Sequence, residues 1–352
     1  MSTTSDLQTF LGSKVIEEEV KKEEENFMAL PEDGCLQQFS LRYTINTKIQ
    51  DIVSTITTFG SVSIETNPPS VVIKTAKDKQ AQIVSVMQQP TVKSINDIKL
   101  TLHTTFNIPK GKDDNYITGC IVCQNGKLIF VDWLHNNRLV ILNDDGILDK
   151  VITCSLGNPF DVTCLDDATV VVSTNTGIEI IDINSTKTKR CIKTSKPCRG
   201  ITHHNGVLLW CEEERGIQMM KLSEYRVTTL VKQDNMPHIS YITTCGDKIY
   251  QTIKDTSTVT CYTMKGERLW EYKDVSLLQD PSGVTVDNKY NVYVTSFISD
   301  KVVVVEPDGR QGRQIISGDD GLNGPTGLYF DKSKNSLLVA NYKESCFLYD
   351  MC

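Results

Sequence analysis

The stretch Gly283-Val-Thr-Val-Asp-Asn-Lys-Tyr-Asn-Val-Tyr-Val-Thr295 decides the fold. It reads as a short apolar strand, a polar turn and a second strand ending on a polar residue. A loop follows, then a third strand, Lys301-Val-Val-Val-Val305, and a Pro307-Asp-Gly309 turn. Asp-Gly supplies the positive backbone angles that tight hairpins need. Working outward, the same pattern starts at Gly119, Asp161, Gly200, Tyr241 and Gly327. The intervals between successive starts are 42, 39, 41, 42 and 44 residues. A period near 40–45 with four short strands per unit is the signature of a β-propeller. The fold class is therefore all-β, a six-bladed β-propeller over residues 98–352.

The last copy runs out after its third strand, at Cys346-Phe-Leu-Tyr-Asp-Met-Cys352. A blade left at three strands would expose a sheet edge. Ahead of the first copy lies an alternating segment, Ile98-Lys-Leu-Thr-Leu-His-Thr-Thr-Phe106. It is expected to supply the outer strand of the last blade and so close the ring.

The region before the propeller divides by composition. Residues 1–30 hold Leu7, Leu11, Val15, Val20, Phe27 and Leu30 at helical spacings, opposite an acidic face containing Glu17, Glu18, Glu19 and Glu23. That pattern predicts a short coiled-coil helix, because a lone helix would leave the stripe wet. Its competing reading is a solvated charged helix. Residues 31–65 read as a small α/β connector: a strand over 38–43, a helix over 46–57 and a strand over 61–65. Residues 66–97 carry Pro68-Pro69 and Gln88-Gln89-Pro90 and read as a linker.

Composition excludes several classes. Lys plus Arg is 37 against 44 Asp plus Glu, a net charge of −7, which disfavours general nucleic-acid binding. The apolar runs fall far short of the roughly 20 residues that cross a bilayer, so no membrane partner is expected. Met1 to Phe10 is polar, unlike a signal peptide, and the 12 Cys are scattered, many within apolar stretches. Reduced thiols and a cytoplasmic location are the expectation.

Chemistry-bearing constellations are sparse. Cys120 and Cys123 form the one C-x-x-C, but residues three apart on a strand face opposite sides, so the sulfurs should diverge. His203-His204 reads as an exposed hairpin turn, and His135 and His238 belong to other blades. No catalytic residue, metal site or cofactor is expected. The loops joining second to third strands, together with the segments that lead into each blade, should gather on one rim. That rim offers Trp133, His135, Arg138, Phe160, Arg199, Arg215, Tyr241, Lys254, Phe297, Tyr342 and Lys343 as partner-binding residues, since aromatics and Arg dominate hot spots. The competing reading is that several of these aromatics cap the core between blades.

The fifth copy, with Pro281-Ser-Gly-Val-Thr-Val-Asp287 and Asn291-Val-Tyr-Val-Thr-Ser296, resembles an NHL repeat. The sixth, with Pro325-Thr-Gly-Leu-Tyr-Phe-Asp331 and Leu338-Val-Ala-Asn341, is similar. The third and fourth lack the Pro-x-Gly start. With the N-terminal helix, the chain resembles tripartite-motif (TRIM) proteins with an NHL propeller. The resemblance implies an NHL-type propeller that recruits a protein or RNA, homodimerisation through residues 1–30, and a link to ubiquitination. Family members are often ligases through a RING finger, which needs eight closely paired Cys/His ligands. Only Cys35 precedes Cys120, so ligase activity is not carried over to this chain. The expected role is a non-enzymatic adaptor binding a protein. The alternatives are a truncated RING-type ligase, an RNA-binding propeller, and a six-bladed metal-dependent hydrolase or lyase. RNA ranks below protein because residues 106–352 hold 27 basic and 31 acidic side chains.

Overall fold

The computed structural model describes residues 95–351, apart from 235 and 237, and the backbone of residues 38–44 and 61–67. The expected helices over 1–30 and 46–57 and most of the expected linker lie outside the described residues. Two compact units divide between Val92 and Lys93. In the first, β1 (Gln38–Thr44) pairs antiparallel with β2 (Ser61–Asn67) from Gln38 opposite Asn67 to Thr44 opposite Ser61. The second unit begins ahead of residue 98. Ile95–Asp97 form a single 3-10 turn with Ile95 buried, and Arg313 donates to the Ile95 carbonyl at 2.7 Å.

Six four-stranded antiparallel sheets make the second unit. Blade 1 holds β4 (Ile117–Val122), β5 (Leu128–Asp132), β6 (Arg138–Leu142) and β7 (Leu148–Thr153). Blade 2 holds β8 (Pro159–Cys164), β9 (Thr169–Thr174), β10 (Gly177–Asp182) and β11 (Lys187–Lys193). Blade 3 holds β12 (Cys198–His204), β13 (Val207–Glu212), β14 (Gly216–Lys221) and β15 (Val227–Lys232). Blade 4 holds β16 (Ser240–Cys245), β17 (Lys248–Ile253), β18 (Thr258–Thr263) and β19 (Arg268–Lys273). Blade 5 holds β20 (Pro281–Val286), β21 (Val292–Ser296), β22 (Lys301–Val305) and β23 (Gly312–Ile316).

Blade 6 is composite. Its first three strands are β24 (Pro325–Asp331), β25 (Ser336–Asn341) and β26 (Ser345–Met351), and its outer strand is β3 (Leu100–Asn107). The β26–β3 ladder runs from Ser345 opposite Asn107 to Met351 opposite Leu100, so the ring closes as the sequence predicts.

The second and third strands of each blade are sandwiched between neighbouring blades, and their sequences are correspondingly apolar. Leu128-Ile-Phe-Val131 and Val302-Val-Val-Val305 are buried throughout. Fully burying each such side chain is worth about 1.5–3 kcal/mol. Ile129, Leu139 and Ile141 of blade 1 pack on Val162, Val170 and Val172 of blade 2. Leu338 and Ala340 of blade 6 pack on Phe130 and Val140 of blade 1, which completes the circle. Outer strands face solvent. In β11, Lys187, Lys189, Arg190 and Lys193 charge that edge, which discourages pairing with another chain.

Candidate functional site

The two faces of the ring differ in character. On the face predicted as the rim, loops joining second to third strands hydrogen-bond to segments leading into each blade. The backbone N–H of Trp133 donates to the Tyr116 carbonyl at 2.8 Å, that of Phe297 to Asp280 O at 3.1 Å and that of Tyr342 to Gly324 O at 2.7 Å. The expected loops do gather there. Their side chains sort into three groups.

The first group is internal. Arg138 is buried, its Nε 2.8 Å from the fully buried Asp132 carboxylate and its Nη2 donating to Pro109 O at 2.7 Å and Asn115 Oδ1 at 3.0 Å. Arg199 is buried against Glu213, with Nε to Oε1 at 2.7 Å, and donates to Asn175 Oδ1 at 2.9 Å. Its guanidinium lies 5.1 Å from the Phe160 ring centroid. Phe160 and Tyr241 are buried with ring centroids 5.1 Å apart, and the Tyr241 hydroxyl donates to Thr118 O at 2.8 Å. Blades 4 and 1 are diametrically opposed, so Tyr241 spans the axis and closes it at this end. These four residues are buried and brace the ring, which for Phe160 and Tyr241 fits the core-capping reading. Trp133 is half-buried, edge-on to Phe160 at 6.0 Å.

The second group comprises neutralised cations. Arg215 Nη1 lies 3.2 Å from Glu212 Oε1, Lys254 Nζ 2.9 Å from Asp280 Oδ2, and Lys110 Nζ 2.7 Å from Glu344 Oε1. Lys343 is exposed.

The third group is an arc of rings. The Tyr116 centroid lies 6.0 Å from His135 and 5.0 Å from Tyr342, and Tyr342 lies 5.5 Å from Phe297, all edge to face. His135 is exposed and the three others are half-buried, while neighbouring Ile298 is 60% exposed. The arc crosses blades 1, 6 and 5. Sequence reasoning found His135, Phe297 and Tyr342 but passed over Tyr116 and Ile298. Ile298 sits in a stretch already assigned to this rim, and Tyr116 lies in the segment leading into blade 1, so reading every such segment for apolar and aromatic residues would have found them.

The opposite face opens into an axial funnel of about 490 Å³. All six innermost strands line it, with Thr163, Thr202, Thr243 and Thr285 in its wall, and Cys123, Cys164, His203 and Lys332 among its lining residues. The sequence reading did not single it out. His203 is half-buried, not a free turn residue. Its Nε2 accepts the Gly206 N–H at 3.1 Å, so Nδ1 carries the proton and donates to Cys164 O at 3.2 Å. Burial, countered in part by that carbonyl, holds its pKa below the ordinary imidazole value. Cys120 and Cys123 pack in different clusters, as expected of strand neighbours three apart. Instead Cys123 Sγ lies 3.0 Å from Cys164 Sγ of the next blade. Among the described residues no three His, Cys, Asp or Glu side chains come together as metal ligands.

No family model and no curated protein matches the chain. Solved structures do. A protein of unknown function from Bacteroides thetaiotaomicron aligns with TM-score 0.58 and 12% identity, over 72% of this chain and 76% of that one. Virginiamycin B lyase from Staphylococcus aureus aligns with TM-score 0.54 and 16% identity, over 72% of this chain and 100% of the lyase. A nidogen/laminin complex structure aligns with TM-score 0.52 and 17% identity, over 63% of this chain and 95% of that one. At these identities the likeness is one of fold, the six-bladed β-propeller.

Proposed function

We propose that this chain is a non-enzymatic adaptor whose propeller captures a protein through the aromatic arc His135–Tyr116–Tyr342–Phe297 and the adjacent Ile298. The observation that carries the reading is Ile298, 60% exposed and next in sequence to Phe297, the last ring of the edge-packed arc. Rings held by their neighbours lose little freedom on docking, and a desolvated aromatic cluster is the usual centre of a hot spot. The ion pairs made by Arg138, Arg199, Arg215, Lys254 and Lys110 disfavour RNA, because phosphate binding draws on cations free to exchange their counterions. The NHL-like fifth and sixth copies fit a recruiting propeller of the TRIM type, in which residues 1–30 would pair two copies. Sizing the full chain against one lacking those residues tests the pairing.

The binding test uses the immobilised full chain beside its Ile298→Glu and Tyr342→Ala variants. A specific protein retained by the wild type and lost from both variants is the expected outcome. Equal retention by all three chains, or retention of RNA with a steep salt dependence, would reject the arc as a protein site.

A further inference from the structure

The funnel mouth contains an arrangement that protein capture on the other face does not use. Cys123 follows β4 and Cys164 ends β8, so the first turns of two adjacent blades bring two sulfurs to 3.0 Å. A disulfide bond needs about 2.05 Å, so roughly 1 Å of approach remains. Both residues line the 490 Å³ funnel, which admits small solutes from solvent. Cys164 is partly exposed and Cys123 is buried.

From this geometry we infer that Cys123 and Cys164 form a peroxide-oxidisable dithiol that staples blade 1 to blade 2 at the funnel mouth. The chemistry of the other thiols marks the pair out. Burial pushes the thiols of Cys120, Cys154, Cys211 and Cys346 up, which suppresses the reactive thiolate. Cys123 goes the other way. The contact with Cys164 draws its pKa below the usual thiol value, while Cys164 is itself pushed up by the same contact. In the proposed step Cys123 is the nucleophile and Cys164 the resolving thiol. Cys191 is exposed, but the contact found for its sulfur is Ser155 Oγ at 3.9 Å and not a second thiol.

The step balances with hydrogen peroxide as oxidant. The Cys123 thiolate attacks one peroxide oxygen. An S–O bond forms, the O–O bond breaks, and hydroxide leaves as water with the proton the thiol released. The Cys164 thiolate then attacks the sulfenic sulfur of Cys123. The S–S bond forms, the S–O bond breaks, and a second water leaves with the Cys164 proton. Two thiols lose two electrons and two protons, and one peroxide becomes two waters. The product removes both thiols from the funnel wall and adds a covalent tie between strands otherwise joined by packing and the hydrogen bond from Thr118 Oγ1 to Phe160 O.

The test treats the full chain carrying Cys191→Ser with hydrogen peroxide, then blocks free thiols and digests the product. The intact mass should fall by about 2 Da, the two hydrogens lost in forming one disulfide. Two alkylatable thiols should disappear, and a reducible cross-linked peptide should join Cys123 to Cys164. Adding Cys164→Ser should abolish the cross-link and leave Cys123 trappable as a sulfenic acid. If Cys123 and Cys164 stay separately alkylatable after exposure, or cross-link to other cysteines, the inference is overturned. The digest of the Cys191→Ser chain decides the matter even if Cys164→Ser does not fold.

Discussion

At the scale of single residues, burial decides what a charged side chain is for. Arg138 fits a recognition role on sequence grounds, yet its partner is the fully buried Asp132 carboxylate. Removing one member of a buried pair strands the other, at a cost of about 3–5 kcal/mol. Arg138→Ala should therefore lower the urea midpoint by an amount of that order, whereas Lys343→Ala should change stability by less than about 0.5 kcal/mol. Similar midpoints for the two variants would show that Arg138 is no brace. Asp161 makes a second case. Burial raises its carboxyl to about 7, against the pull of backbone N–H donors from Ile201 and Val162. The unfolded value is near 4. Between the two, the folded chain keeps a proton that the unfolded chain has lost. This contribution to stability is thus full below about pH 4 and is lost as pH rises to about 7. Asp161→Asn should flatten that decline relative to the wild type, by at most about 4 kcal/mol. Thermal midpoints of both chains from pH 4 to 8 measure it, and parallel curves would contradict the assignment.

At the scale of strands, the six innermost segments start at equivalent positions occupied by Gly119, Asp161, Gly200, Tyr241, Gly283 and Gly327. Five of the six strands break register at or beside that position; β16, which carries Tyr241, does not. Glycine recurs because the strands converge. A Cβ on Gly200 would sit 2.5 Å from the Tyr241 Cα, which is backbone and cannot swing away. Gly200→Ala should cost about 1–3 kcal/mol through overpacking, read from chemical denaturation, and an unchanged midpoint would mean the strands part freely there. The blades were legible because strand, turn and strand leave short apolar runs separated by polar turns, which recur every 39–44 residues. The closing β3–β26 pair was legible from the missing outer strand. What loops do was not, because a loop's sequence shows which charges it carries but not which neighbour neutralises them. The Cys123–Cys164 contact lies between those extremes. Both cysteines fall three or four residues after the start of their copies, so overlaying adjacent copies would have exposed it.

At the scale of the whole ring, closure relies on one ladder built from segments more than 230 residues apart, with Ile108 N–H bonded to Glu344 O at 2.7 Å beside it. Deleting residues 345–352 would bare the edges of both β25 and β3. The expected result is loss of the cooperative thermal transition by circular dichroism, with aggregation through the open edges. A truncated chain that melts sharply near the wild-type temperature would rule out this closure as the keystone. The Tyr241 strut across the axis carries a different implication. With Tyr241 and Phe160 both under 5% exposed at that end, the propeller is a cup and not a tube. No polymer can thread it; only a compact group or the tip of a chain can be inserted, and whatever goes in must back out through the same doorway.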